Sequence, residues 1–506
     1  MFEILLGICC SLSLVYVFLC VWRRRKRKLP PGPQGYLCFG NSFQIDADRI
    51  HHDLHKFREE FGPLFKLKLY GTNIVNLSSA SLLYEAFETT PTDEIANDRS
   101  ANSTSDIFYG RKHMGCANLS NITLLLREFH KSAIPRYFER EQFFELLNKE
   151  EIKRLHLNLI SKPTCNINPH EYLRTYFKNV CAILLIGERL SETVPDTDAP
   201  WEFIDLLFEL IEPSVDGALR TFPFLRHLPG YYGDVYRRTV ESRDKVAKRF
   251  FEDQKKSYIS GRMRGLVDVC LMRQSDDVIK TGSTLLSDEH IKGFIFDTLA
   301  AGMTELLKSI RLFILLMCHY QDIQTRLQAE IDNVIGTERF PEVSDRKWMP
   351  FTNAVMLELL RYGSQTPLAI PHLCKKGFLL DGYYIENGSV IFPNLYSIHH
   401  DSEIWGDPWD FRPERFLDNK GDLLPPDHSY IRNVVPFSLG KRACPGQDFA
   451  RSRIFITITS LLQRVRILPP ENYDLPSADP RLYTRKYPMA EPQYKCRIIS
   501  RENIIL

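Results

Sequence analysis

The segment Phe437-Ser438-Leu439-Gly440-Lys441-Arg442-Ala443-Cys444-Pro445-Gly446 gathers the residue types that a bound metal needs. A cysteine thiolate can ligate a metal when amides and positive charge keep it ionised and a ring shields it from solvent. Arg442 stands two residues before Cys444 and Phe437 seven before it, so a cation and a ring are both at hand. Gly440 and Gly446 carry no β-carbon and let the backbone approach something flat. A buried cysteine is more often inert core, and on this segment alone that alternative stays open.

Other spacings carry less. Glu358-Leu359-Leu360-Arg361 sets an acid and a guanidinium three apart on one helix face. Such a pair is usually a solvated contact worth little. Arg415, in Pro413-Glu414-Arg415-Phe416, offers a third charge that would close a network and pin a long loop to the helix. His51, His52 and His55 have helical spacing, but no acid or cysteine converges on them, so a solvated face is the better reading. His399-His400 reads the same way. No convincing phosphate loop or dinucleotide fingerprint appears, so a redox reaction would draw its electrons from another protein.

The elements that must position these residues are mainly helical. Amphipathic stretches at 142–160, 201–213 and 235–258 predict helices, while Phe65-Lys66-Leu67-Lys68-Leu69 alternates as a strand and Gly71 follows as a turn. Further strand-like runs lie at 378–393 and near the C-terminus. The expected fold class is mainly α with a smaller β region, forming one large catalytic domain over 36–506. Phe222 to Gly230 interrupts two helices with an apolar run, read either as a core-packed loop or as a segment dipping into a membrane interface.

The 506 residues are 44% hydrophobic and 25% charged, a folded composition, and the net charge of +2 gives no reason to expect nucleic acid. Charge is uneven, however. Residues 23–28 are all basic and follow an apolar run over 4–22. Nineteen helical residues span about 28 Å, close to the hydrocarbon thickness of a bilayer. Cations after the apolar run, and none before it, predict a transmembrane anchor with the bulk of the chain in the cytosol. The proline-rich stretch Leu29-Pro30-Pro31-Gly32-Pro33 completes a basic stop and stiff connector over 23–35. The twelve cysteines, scattered from Cys9 to Cys496 without paired spacing, suit reduced thiols.

Taken in order and spacing, these segments resemble the cytochrome P450 superfamily of haem-thiolate monooxygenases, closest to the animal microsomal branch of steroid hydroxylases and drug-metabolising enzymes. The resemblance covers nearly the whole chain and includes Phe61-Gly62-Pro63, Glu330 to Gly336 and Asp345-Arg346. It implies that Cys444 is the proximal ligand of a haem b iron, with Phe437 packed beside it and Gly440 and Gly446 shaping its loop. Arg442 and His372 match positions that bind the haem propionates. Glu358, Arg361 and Arg415 match a structural charge triad behind the haem.

Two departures stand out. The family's helix before the haem carries a tryptophan and, four later, an arginine on the propionates; Leu126 and His130 are aligned there, with Arg127 and Lys131 adjacent. His130 replaces an arginine only in part, so weaker propionate anchoring is expected unless Arg127 or Lys131 swings in. On the distal helix, Asp297 to Leu306, the family pattern runs Ala-Gly-x-acid-Thr, whereas this chain has Thr304 at the acid position and Glu305 at the threonine position. Neighbouring helical residues point about 100° apart, so the hydroxyl is displaced. A carboxylic acid delivers protons near neutral pH when burial keeps it protonated. Glu305 is expected to take over proton delivery, with Thr304 or Asp297 as a relay.

The resemblance implies insertion of one oxygen atom from dioxygen into a lipophilic small molecule, a sterol, fatty acid or xenobiotic. Electrons would come from the NADPH-dependent diflavin cytochrome P450 reductase of the endoplasmic reticulum membrane, with cytochrome b5 as a further partner. Docking is expected near Lys441, Arg451, Lys131, Arg136 and Arg140. Two alternatives remain: a haem-thiolate isomerase or dehydratase acting on a peroxide without reductase, and a non-catalytic haem- or sterol-binding protein.

Overall fold

The computed structural model describes residues 27–36, 39–89, 91–100, 104, 107–133, 142–161, 165–190, 196–483 and 491–501. Longer helices and strands are numbered here in chain order. Helix α1 (Ile50–Phe61) leads into β1 (Leu64–Leu69) and β2 (Thr72–Leu77), then α2 (Ala80–Phe87) and α3 (Asn121–Glu128). Next come α4 (Gln142–Ile160), α5 (Pro169–Ile186), α6 (Ala199–Leu210), α7 (Pro213–Thr221), α8 (Tyr231–Ala247) and α9 (Leu266–Thr281). Helices α10 (Asp288–His319), α11 (Gln321–Val334) and α12 (Pro350–Gly363) precede β3 (His372–Leu373), β4 (Phe378–Leu380), β5 (Tyr383–Ile385) and β6 (Val390–Pro393). Helix α13 (Gln447–Arg464), β7 (Val465–Leu468) and β8 (Arg497–Ser500) complete the set.

Helix α10 is the spine. Its 32 residues reach about 48 Å. Ser287 opens it with a capping box shared with His290, satisfying amides that would otherwise be orphaned. From Ile310 to Met317 its apolar side chains are almost wholly buried on every side, as a helix in the middle of a core must be. Helix α5 packs closely on it where Gly302 meets Cys181: a β-carbon at 302 would sit 2.9 Å from the Cys181 sulfur. Helix α5 itself starts at the Asn168 cap with Pro169 in its first turn and stops at Gly187, whose left-handed φ of 74° ends the helix.

The main sheet has strand order β1-β2-β6-β3. A tight turn at Tyr70 and Gly71, both with positive φ, returns β1 antiparallel onto β2. β2 then pairs in parallel with β6, and β6 antiparallel with β3, which sets His372 opposite Ile391. The strand predicted at 65–69 is β1, and the run at 378–393 resolves into β4, β5 and β6. The stretch predicted at 201–213 breaks at Ile211, where Pro213 starts a new helix.

Among the described residues no helix is long and apolar enough to cross a membrane; the expected span at 4–22 lies outside them. The proline-rich stretch does not stand away from the body. Lys66 donates to the Pro31 carbonyl at 2.8 Å, Tyr384 donates to that of Lys28 at 2.7 Å, and Arg27 and Lys28 lie over the rings of Tyr384 and Tyr383. The apolar run after α7 packs on the core only through Leu225. It forms a short 3-10 turn, Pro223–His227, with Phe222, Phe224 and Leu228 about half exposed.

Candidate active site

Cys444 lies in the loop between a 3-10 turn, Gly440–Arg442, and α13. The loop is shaped by backbone contacts. Cys444 donates its amide to the Phe437 carbonyl at 2.8 Å, closing the turn on itself. Gly440 has φ 74°, and a β-carbon there would sit 2.2 Å from the Phe87 carbonyl, so only glycine fits against α2. Gly446 has open space around it; its contribution is an amide that donates to the Cys444 sulfur. Arg451 covers the Phe437 ring at 5.2 Å.

Burial pushes the Cys444 thiol up, while the Gly446 amide and the Arg127 guanidinium draw it down. Arg127, at the end of α3, donates to the Ala443 carbonyl and so sits against the cysteine loop. His130 does not. Helix α3 runs into a π-helical turn, Phe129–Ala133, which swings His130 onto α10: its Nε2 meets the Thr298 hydroxyl at 3.0 Å and its ring packs on Phe294. Burial lowers His130 to about 4, so it is a neutral ring. Leu126 is fully buried. Arg127, rather than His130, therefore lies against the cysteine loop, and the position four before it is Thr123.

Helix α10 carries the residues expected on the distal side. Ala301 is exposed although the helix around it is buried, and Glu305, one turn on, has a side chain 36% exposed. The Glu305 carboxylate acts electrostatically on the Cys444 thiol, raising it. Thr366 donates to Glu305 Oε2 at 3.2 Å, and Lys308 Nζ lies 3.8 Å from Oε1. Thr304 and Asp297 each make hydrogen bonds away from Glu305. The Thr304 hydroxyl turns back to the Ala300 carbonyl at 2.5 Å. Asp297 accepts from the amides of Met114 and Gly115 at 2.8 and 3.1 Å and pairs with His113 at 2.9 Å.

That loop serves Arg442. One of its terminal nitrogens donates to the carbonyls of Gly115 and Ala117 at 3.0 and 2.9 Å, while Nε and the other terminal nitrogen are buried without a partner. Burial and the neighbouring Arg127 lower Arg442 to about 10. Arg99, which the sequence did not single out, joins it: it donates to Gly115 and to the carbonyls of Ile370 and Pro371, just before His372. His372 donates from Nδ1 to the Ala96 carbonyl at 2.7 Å and stacks on Phe87 at 4.1 Å. Burial first, then Arg99, holds His372 far below its ordinary value. Arg127, Arg442, Arg99 and His372 therefore gather cationic and donor groups in need of an anion.

Glu358, Arg361 and Arg415 meet in the interior. Arg361 Nε lies 2.6 Å from Glu358 Oε2, and Arg415 Nε 3.1 Å from Oε1, with all three side chains at most 1% exposed. Arg412 adds an amide at 2.8 Å. The arginines spend their remaining donors on loop carbonyls of His399, Pro408, Trp405 and Asp407, which pins the 399–412 loop to α12.

A family model described as Cytochrome P450 matches residues 30–495. The chain belongs to the cytochrome P450 family. It is 27% identical over 492 residues to cytochrome P450 2D10 of Mus musculus, covering 95% of this chain and 94% of that one. It is 28% identical to cytochrome P450 2A13 of Homo sapiens, covering 90% and 91%, and 29% identical to cytochrome P450 1A1 of Cavia porcellus, covering 87% and 86%. This P450 has residues that fit a haem. The Cys444 thiol sits in a glycine-shaped loop against Arg127, and the buried, unpartnered nitrogens of Arg442 suit a carboxylate.

Of the cations expected to dock a reductase, Lys441 pairs with Asp93 at 2.8 Å and Arg451 lies over the Phe437 ring. Lys131 is exposed; Arg136 and Arg140 lie outside the described residues.

Proposed function

We propose that this P450 inserts one oxygen atom from dioxygen into a lipophilic small molecule, with electrons from an NADPH-dependent diflavin reductase in the endoplasmic reticulum membrane. As a member of its family it is an oxidoreductase, a monooxygenase. The observation that carries the finer reading is the set of buried cationic and donor groups, Arg442, Arg99, Arg127 and His372, gathered beside the Cys444 loop. A haem b held by the Cys444 thiolate would supply the activation of dioxygen.

The chain's own residues do the rest. Arg442, Arg99, Arg127 and His372 meet the propionates; for His372 to donate from Nε2 as well as Nδ1 it must take a proton, which an anion beside it favours. Arg127 and the Gly446 amide stabilise the thiolate. The Glu358–Arg361–Arg415 network keeps the loop beyond α12 in register with the cysteine loop. Glu305, oriented by Thr366, holds the proton that enters the cavity, and Asp297 acts by ordering the 113–117 loop that holds Arg442. Phe108 and Phe203 pack on Phe296 of α10 in a buried apolar core, surroundings that suit a sterol, fatty acid or xenobiotic as substrate. Half-exposed Phe222, Phe224 and Leu228 favour contact with the membrane interface, alongside an anchor at 4–22.

Reconstitution with the reductase, NADPH and a lipid panel tests this. Hydroxylated product that requires both is expected. Rearrangement of a peroxide substrate without reductase would replace the reading with an isomerase, and binding without turnover would replace it with a carrier.

A further inference from the structure

An open pocket of about 310 Å³ lies between α1 and the segments that carry Trp409 and Arg481, and none of its lining residues is assigned to the haem. Arg49, Lys56 and Arg481 line it together with Asp46 and Asp53. Arg481 pairs with Asp479 at 2.6 Å, but much of the remaining charge is not spent within the fold. Arg49 gives one terminal nitrogen to the Arg481 carbonyl at 3.1 Å, while its Nε is buried without a partner. Lys56 has a side chain 74% exposed, with Nζ 3.4 Å from Asp53. Asp46 accepts the Asp48 amide at 3.0 Å on one oxygen, and its other oxygen has no donor among the described residues. A neutral imidazole completes the wall: burial, then Arg49, lowers His52 to about 4, and its Nε2 is buried without a partner.

The two signs of charge decide what fits. A simple anion would sit beside two carboxylates, and a simple cation would meet three basic side chains. A ligand with a phosphate and an ammonium a few bonds apart satisfies both sets at once. Metal binding is another use of histidines and acids, and no group among the described residues is placed for it. Trp409 narrows the choice of ammonium. His400 stacks on its ring at 4.5 Å and the Arg481 guanidinium lies over it at 5.0 Å, so the indole is not open as a cage for a quaternary ammonium. A primary ammonium, whose N–H donors need carboxylate acceptors, fits Asp46 and Asp53 instead.

The pocket's place in the chain points to the bilayer as the source. Asn41 donates to the Pro33 carbonyl at 3.2 Å and Gln44 to that of Gln34 at 3.0 Å, so the chain leaving the proline-rich connector doubles back just before Asp46. Tyr36, Phe39 and Phe43 are each more than half exposed there, with the Phe43 ring centroid 5.1 Å from that of Phe39 and 6.2 Å from that of Tyr36. Aromatic rings beside charged side chains suit the headgroup level of a membrane. We propose that the pocket binds the headgroup of a phospholipid with a primary ammonium, its phosphate among Arg49, Lys56 and Arg481 and its ammonium at Asp46 and Asp53. A lipid held there fixes which face of the domain meets the membrane. The bilayer as source rests on the anchor proposed at 4–22; the charge pattern of the pocket does not.

Full-length, haem-loaded protein extracted from cell membranes in mild detergent is expected to carry phosphatidylethanolamine, counted by native mass spectrometry. A soluble phosphate ester in its place would overturn the bilayer as its source. The lipid-stripped protein is then titrated with dihexanoyl phosphatidylethanolamine and with dihexanoyl phosphatidylglycerol, which shares the phosphate but lacks the ammonium. The first is expected to bind saturably and about tenfold tighter than the second. Arg49→Gln combined with Lys56→Gln should weaken the first by about tenfold. Asp46→Asn keeps an oxygen for the Asp48 amide and should weaken the first by about tenfold while leaving the second unchanged. Wild-type haem spectra in each variant show that the fold is kept. Equal affinity for both lipids, unmoved by Asp46→Asn, would leave an anion site only and overturn the proposal. Unsaturable uptake that the paired charge variant does not change would overturn it as well. Extraction with alkaline carbonate reads the anchor separately: release would remove that reading, and the titration would still decide the pocket.

Discussion

Thr366 donates a hydrogen bond to Glu305 at 3.2 Å, tying the loop after α12 to the cavity face of α10. The hydroxyl that a family member would carry on α10 itself is here delivered from another element, onto a carboxylate. Replacing Glu305 with alanine is expected to lower product formed per NADPH by about tenfold or more, the scale of a lost proton donor. Thr366→Val, which leaves the acid but frees its orientation, should give a smaller loss. Full coupling in Glu305→Ala would exclude Glu305 from proton delivery.

Glu358 is the only carboxylate in contact with Arg361 and Arg415 among the described residues. Glu358→Gln leaves two buried guanidinium groups facing each other without a countercharge, which costs about 3–5 kcal/mol. Thermal unfolding of the holoenzyme should show a clear drop in midpoint with early haem loss. An unchanged midpoint would mean that the loop is held by its carbonyl contacts alone.

Both nitrogens of His399 are used. Ser364 gives its own proton to the Arg361 carbonyl, so its oxygen accepts from His399 Nδ1, and Val435 donates to Nε2. Burial, then Arg361, lowers His399 to about 3. A base depressed on folding contributes stability that is present above its unfolded value of 6.5 and is lost as pH falls toward 3. Denaturant unfolding between those limits should therefore steepen with acid in the wild type and less so in His399→Gln. Parallel pH profiles would contradict this assignment.

Phe222 and Phe224 are exposed next to helix α7. If they enter the interface, the indole of Phe224→Trp in vesicle-bound protein should be quenched by brominated lipid and shifted to the blue. Emission typical of water, without quenching, would place the loop in solvent.

How far the sequence could be read depended on the physics of each feature. The Cys444 loop and the Glu358, Arg361 and Arg415 contacts were legible through the family resemblance, because spacing alone left an inert cysteine and a solvated i, i+3 pair equally open. The phase of α3 was not, since a π-helical turn at Phe129–Ala133 changes which side chains share a face and leaves no mark in composition. Arg99 and Thr366 were missed because they reach the site through carbonyls and loops far away in sequence. The apolar run at 222–230 was ambiguous because hydrophobic residues suit a core and an interface equally.

The thiolate is the centre of the whole account, and the reduced, carbon monoxide-bound spectrum reads it most directly. Wild-type protein loaded with haem should show the strongly red-shifted Soret band of thiolate ligation, and Cys444→Ser should lose that band while retaining helix content. A thiolate-type band that survives Cys444→Ser would contradict the assignment of Cys444 as the iron ligand.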